Sequence, residues 1–148
     1  MRMKGLIAAA ALAVLCQGDA MKASAADFSV LSGFVSQHSG DKEYNETNNG
    51  IGFRIDSGDW KGWVVGTYRN SLWRQTFYAG KEWQRHVAGP LSVGLFAGAA
   101  TGYNYIIIPA ALPEVILRFD VLELALLVQP LKLKDSPSFA ALQVRLRF

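Results

Sequence analysis

The last nine residues, Ala140-Ala141-Leu142-Gln143-Val144-Arg145-Leu146-Arg147-Phe148, alternate apolar and polar side chains up to a final aromatic. Successive side chains of a β-strand point to opposite faces, so this stretch makes a strand with one apolar and one polar face. A chain that stops on such a strand, with its carboxylate beside Phe148, has the form of an outer-membrane barrel whose last strand closes onto its first. The edge strand of a soluble sandwich alternates in the same way, and the other end of the chain weighs against it.

There, Arg2 and Lys4 precede the apolar run Leu6 to Leu15, and the small residues Ala23-Ser24-Ala25-Ala26 follow. That order of charge, apolar core and cleavage site is the order of a secretory signal. The expected organisation is a signal over residues 1–25 and one barrel domain over 26–148. A spanning helix needs about 20 apolar residues; the signal core is shorter, and Pro109, Pro113, Glu123 and Pro130 break the later apolar runs. Cys16 would leave with the signal, so no disulfide is expected, and Leu15 stands where a lipoprotein signal wants a small residue. Arg2, Lys4 and Lys22 against Asp19 account for two of the three formal positive charges. The remaining domain is close to neutral, which argues against a nucleic-acid partner.

Turn residues cut the rest into eight segments: Phe28 to His38, Gly50 to Asp56, Lys61 to Arg69, Leu72 to Trp83, Ala88 to Gly102, Ile106 to Phe119, Asp120 to Gln129 and Phe139 to Phe148. Most approach the roughly 9–11 residues of a tilted transmembrane strand, and an even count of eight is the smallest bacterial barrel. The fold class expected is therefore all-β, an eight-stranded antiparallel transmembrane barrel. Such a barrel is filled by side chains or holds one small ligand, which excludes a wide pore. Period-two alternation sends Arg54, Arg118, Arg145, Arg147, Asp56, Glu82 and Glu123 inward, where they must pair with one another. Trp60, Trp63, Trp73 and Trp83 fall near segment ends, as an aromatic girdle requires.

With both termini at the periplasmic end, His38, Asn70-Ser71, Tyr103 to Tyr105 and Lys134 to Ser136 share the outer mouth, while Ser57 to Asp59 and a turn near Arg85 share the inner one. A histidine, a hydroxyl and an amide suffice for acyl transfer: His38 as general base, Ser71 at the reacting centre, Asn70 as a positioning group. A solvated loop histidine beside an ordinary Asn-Ser turn has the same spacing. Arg69 and Arg74 stand near the rim, where lipopolysaccharide phosphates would lie. Pro109, Pro113 and Pro130 donate no ladder hydrogen bond, so they either weaken the wall for passage of a lipid tail or cap strand ends. His86 beside Arg85 has no second His or Cys near it in sequence, so no metal is expected. No phosphate loop, dinucleotide fingerprint or hydrolase elbow occurs, and no cofactor is expected.

Several stretches in order resemble the lipid A palmitoyltransferase family of outer-membrane acyltransferases: Asp41-Lys42-Glu43-Tyr44-Asn45-Glu46 with Gly50-Ile51-Gly52-Phe53, Asp59-Trp60-Lys61-Gly62, and Ala79-Gly80 followed by Trp83. The series continues with Leu91-Ser92-Val93-Gly94-Leu95, Ala97-Gly98, Asn104-Tyr105-Ile106, Ile108-Pro109 through Leu112-Pro113, Gln129-Pro130 and Arg145-Leu146-Arg147-Phe148. The resemblance implies a monomeric barrel with a phospholipid acyl donor and a lipid A or lipopolysaccharide acceptor. It implies His38 and Ser71 as catalytic residues, Tyr44 in the substrate-facing first loop, and lipid passage through proline-weakened seams.

The chain departs from the family pattern at four points. Asn70 replaces a carboxylate, and an amide orients an imidazole without stabilising its cation. About a dozen mature residues precede His38, too few for the family's amphipathic helix, and the loop from His38 to Tyr44 is short. Glu82 stands where the family has a small residue at the floor of its acyl-measuring pocket. A carboxylate facing an alkyl chain must be neutral, paired with arginine or turned away, so any chain accepted would be shorter, or the pocket is filled. Two other functions fit the same fold: a non-catalytic barrel that modifies the cell surface, and a lipid A deacylase that releases a fatty acid without an acceptor.

Overall fold

The computed structural model describes residues 28–57, 60–130 and 137–148. The strands are β1 (Phe28–His38), β2 (Thr47–Asp56), β3 (Lys61–Arg69), β4 (Gln75–Ala88), β5 (Leu91–Ala100), β6 (Ile108–Phe119), β7 (Leu122–Gln129) and β8 (Phe139–Arg147). Each pairs antiparallel with the next, and β8 returns to β1, so the sheet closes into an eight-stranded barrel. The expected signal over 1–25 and the loop tips at Gly58-Asp59 and Lys134 to Ser136 lie outside the described residues.

Strand ends differ from the sequence reading in places. β2 begins at Thr47 rather than Gly50, because Asn48 turns inward and donates to the Arg69 carbonyl at 2.9 Å while accepting from Ser36 Oγ at 2.7 Å. β4 runs to Ala88, so the expected turn near Arg85 is at Gly89-Pro90 instead. Gln84 faces inward to Glu82 and Arg118, which carries the alternation past Trp83, and Gly89 takes the positive φ of +52° that the reversal requires.

Polarity is inverted relative to a water-soluble protein. Ile51, Phe53, Ile55, Trp63, Val65 and Phe77 are exposed on the outer wall, and Arg54, Glu82, Glu114, Glu123, Gln143 and Arg145 are buried inside. Closure pairs the backbone along the wall, the arrangement a hydrocarbon solvent demands. All seven charged residues assigned inward from the alternation point inward, and Glu114, on the same face as Arg118, joins them.

These charges form a plug across the barrel. Arg145 sends Nη1 to Glu82 at 3.0 Å, Nη2 to Glu114 at 2.9 Å and Nε to Gln143 Oε1 at 2.9 Å. Arg54 Nε lies 3.0 Å from Glu82, and its Nη1 meets Asp56. Nearer the terminal end, Glu123 accepts from Arg118 Nε at 2.7 Å and faces Arg147 Nε at 3.4 Å. Four arginines thus meet four carboxylates, which removes the unpaired buried charge that would otherwise oppose folding. The rest of the interior is apolar and aromatic: Leu31, Val64 and Phe96 pack with Tyr78, Ala110 and Leu112, while Phe34 leans on Ile116, Ala125 and Leu127. Tyr78 fits because Gly52 and Gly66 face it; a Cβ at either would stand 2.5 Å from its hydroxyl oxygen.

Candidate functional site

The mouth opposite Phe28 and Phe148 gathers the end of β1, the β3–β4 turn, the β5–β6 loop and the start of β8. Hydrogen bonds join these segments and the β1–β2 loop, among them Ser39 N to the Ser138 carbonyl (3.0 Å), Asn45 N to the Ser71 carbonyl (2.9 Å), Asn70 Nδ2 to the Gly102 carbonyl (2.8 Å) and Arg74 Nη1 to the Tyr103 carbonyl (3.2 Å).

His38 reaches this mouth through a β-bulge. Ser29 and Leu31 point inward, so simple alternation along β1 would send His38 outward. Between Leu31 and Phe34 the register against β8 shifts by one residue, after which Phe34 packs inside, Val35 faces out and Ser36 is buried. The same shift turns His38 to the inner side, where its ring stacks on Tyr44 (centroids 4.6 Å apart, planes 23° apart) and tilts against Phe139 at 5.6 Å. Its Nδ1 is buried and makes no hydrogen bond among the described residues. Tyr44 also lies under Lys42 Nζ, 5.6 Å from the ring centre.

Asn70 and Ser71 share this mouth with His38, but the hydrogen bonds join them differently from the expected relay. Asn70 is fully buried. Its Nδ2 donates to Thr76 Oγ1 (2.9 Å) and the Gly102 carbonyl, and its Oδ1 accepts from Leu72 N (2.9 Å) and Arg74 N (3.0 Å). Both donors and both acceptor positions of the amide are occupied, by its own turn, β4 and the β5–β6 loop, so Asn70 holds the loop that carries Ser71 and does not touch the imidazole. Among the described residues, Ser71 is linked to His38 through the segment Tyr44-Asn45, by the backbone bond to Asn45 and the stacking of Tyr44. Asn45 and Asn48 complete that support: Asn45 Nδ2 bonds the Asn70 carbonyl at 3.1 Å. Their polar side chains in an otherwise loop-like stretch were the only sequence signal for this role.

Beside His38 is an open cleft of about 410 Å³, lined by Gln37, His38, Ser39, Val128 to Pro130 and Ser138 to Ala140. Ser39 Oγ and Ser138 Oγ are hydrogen-bonded across it at 2.7 Å. Its Val128 to Pro130 wall is also the flank of a seam. β5 and β6 pair along their full length, whereas β6 and β7 pair only from Glu114↔Leu127 to Phe119↔Leu122. Arg118 N donates to the Pro90 carbonyl on the β5 side, so N–H groups of even-numbered β6 residues face β5 and those of odd-numbered residues face β7. Pro109 and Pro113 therefore delete donors on the β7 side alone. Continuing the register sets Pro113 opposite Val128 and Ala111 opposite Pro130, so each of these next two bonding positions contains a proline. Pro113 lies within β6, whereas Pro109 is its second residue and Pro130 follows the last residue of β7. Ala110 and Leu112 stand inside this seam, packed on the apolar core.

The remaining candidates separate into rim and floor. Arg69 is exposed, with Nε on the Trp73 carbonyl at 3.2 Å and its guanidinium 5.4 Å from the Trp73 ring centre; Arg74 is exposed on the same turn. Glu82 is completely buried and doubly paired with Arg54 and Arg145, so it is the top of the plug. Between it and the mouth, Tyr78 packs edge-on to Phe96 (6.2 Å) and Tyr68 (5.6 Å), and Phe34 meets Tyr68 at 5.1 Å. Tyr68 Oη and Tyr103 Oη share a hydrogen bond of 2.8 Å; burial pushes the Tyr103 phenol above its ordinary value, so it stays protonated at neutral pH.

No protein-family model matches the chain, and no curated protein matches it. Among solved structures it is similar to the solution NMR structure of the de novo designed TMB2.3, with a TM-score of 0.64 and 15% identity, over 86% of this chain and 98% of that one. At that identity the likeness shows the barrel fold.

Proposed function

We propose that this barrel is embedded in a bacterial outer membrane and transfers a fatty acyl chain from a phospholipid to lipid A at the mouth that holds His38. In this reading a phospholipid tail passes through the β6–β7 seam at Pro109, Pro113 and Pro130, and its ester rests in the cleft beside His38. The imidazole takes the proton of a lipid A hydroxyl, the alkoxide attacks the ester carbonyl, and the lysophospholipid oxygen leaves with that proton. Ser71, across the Tyr44-Asn45 segment, serves the reacting centre as a hydrogen-bond donor. Arg69 and Arg74 face lipid A phosphates. Asn70 acts through the loop it holds.

The observation that carries this reading is the coincidence of a half-buried histidine, unpartnered at Nδ1, with a cleft whose wall is the proline-interrupted seam. A specific observation favours a second reading, a non-catalytic surface barrel: Phe34, Tyr68, Tyr78 and Phe96 occupy the interior above Glu82, where an acyl chain would go. Mass spectrometry of lipid A from cells expressing the protein decides between them. The acyltransferase reading expects lipid A heavier by one acyl group, lost in His38→Ala and reduced in Ser71→Ala. Unchanged lipid A, with wild-type protein folded in the membrane, refutes it in favour of the second. Free fatty acid with lighter lipid A would instead identify a deacylase.

A further inference from the structure

At the terminal end of the outer wall, β3 and β4 carry a two-by-two block in which Lys61 pairs with Trp83 and Trp63 pairs with Lys81. The intervening Gly62 and Glu82 face the interior, where a Cβ on Gly62 would meet the Arg54 guanidinium at 2.8 Å, so alternation sends all four block residues outward. Lys81 Nζ lies 5.5 Å from the Trp63 ring centre and 5.7 Å from that of Trp83. Arg85 stands on the same face, because Gln84 is buried inside. Among the described residues, no carboxylate pairs with Lys61, Lys81 or Arg85. The opposite wall is different in kind: Val115, Leu117, Leu126 and Leu142 are its outward side chains at comparable exposure, and all are apolar.

We infer that this block is a binding site for the headgroup of an anionic phospholipid, which rests on the reading that the barrel spans a membrane. Indoles settle at the level of the headgroups, and Trp63 and Trp83 thereby set the depth of the cations between them. Three unpaired cations at that depth are unfavourable beside hydrocarbon and favourable beside phosphate. A zwitterionic headgroup carries its own ammonium next to its phosphate, whereas phosphatidylglycerol offers a net negative charge. The flat indole faces accept the first methylenes of the same lipid. Charge complementarity thus selects an anionic lipid, and confines it to one side of the barrel.

The full chain, refolded into phosphatidylcholine vesicles, tests this. Insertion is read first, by protease protection and by the mobility of the folded form, neither of which depends on headgroup charge. Tryptophan quenching by brominated phosphatidylglycerol is then compared with quenching by brominated phosphatidylcholine. Wild type is expected to favour the glycerol lipid roughly tenfold, with the preference weakened by salt. Lys61→Gln/Lys81→Gln/Arg85→Gln should bring the ratio near one, and Lys81→Gln alone should lower it severalfold. Lys42→Gln, at the other mouth, should leave it intact. Insertion with equal quenching by both lipids, or a preference that survives the triple change, overturns this inference alone. Failure to insert overturns the membrane reading together with it.

Discussion

Replacing Arg145 with methionine isolates the energetics of the plug. Arg145 is buried and touches Glu82, Glu114 and Gln143 through three donors between 2.9 and 3.0 Å. Methionine keeps much of the volume and removes the charge, leaving Arg54 to face both Glu82 and the now unpartnered Glu114. Breaking a buried pair from one side costs about 3–5 kcal/mol, or roughly two to four decades in the folding equilibrium. Urea unfolding in phospholipid vesicles, followed by tryptophan fluorescence, measures it. Arg145→Met/Glu114→Gln restores charge balance, because Glu82 keeps Arg54. The double variant should therefore be more stable than Arg145→Met by about 1–3 kcal/mol, a coupling that non-interacting sites do not show. Additive losses would refute the claim that the interior is held by mutual neutralisation rather than by packing alone.

Asn70→Asp restores the carboxylate of the resembled family, yet it sets an oxygen against the Gly102 carbonyl in place of a donor. It should destabilise the rim by about 1–3 kcal/mol and raise proteolysis in the β3–β4 turn without increasing acyl transfer; a stable, more active variant would overturn the structural role given to Asn70. Pro113→Ala restores an N–H directed at β7. It should lower lipid turnover while leaving the unfolding midpoint unchanged or slightly higher, and unchanged turnover in a lipid A mass assay would count against the seam as a passage.

The parts of this structure that could be read without coordinates are those governed by period two. In β8, Gln143, Arg145 and Arg147 alternate with Leu142, Val144 and Leu146, and each went to the face the pattern assigns, because a one-residue slip would put arginine on the apolar outer wall. The same logic placed Arg54, Glu82 and Glu123 inside. Glu114 was within reach of it, since it shares a parity with Arg118, but its setting between Pro113 and Val115 masked the alternation. Gln84 and Asn48 extended β4 and β2 beyond their expected ends by finding partners on other strands, and local pattern holds no record of such partners.

Composition and alternation by themselves determined an eight-stranded wall, apolar outside and charged inside, with His38, Asn70 and Ser71 at one mouth, since these follow from strand direction and side-chain period. Only the tertiary structure decided which way each functional group points. The bulge before Phe34 turns His38 inward, and it arises from register against β8, more than a hundred residues away in the chain. Asn70 became the anchor of a loop, and the prolines became a seam, because a hydrogen bond is made or lost only once the facing strand is in place.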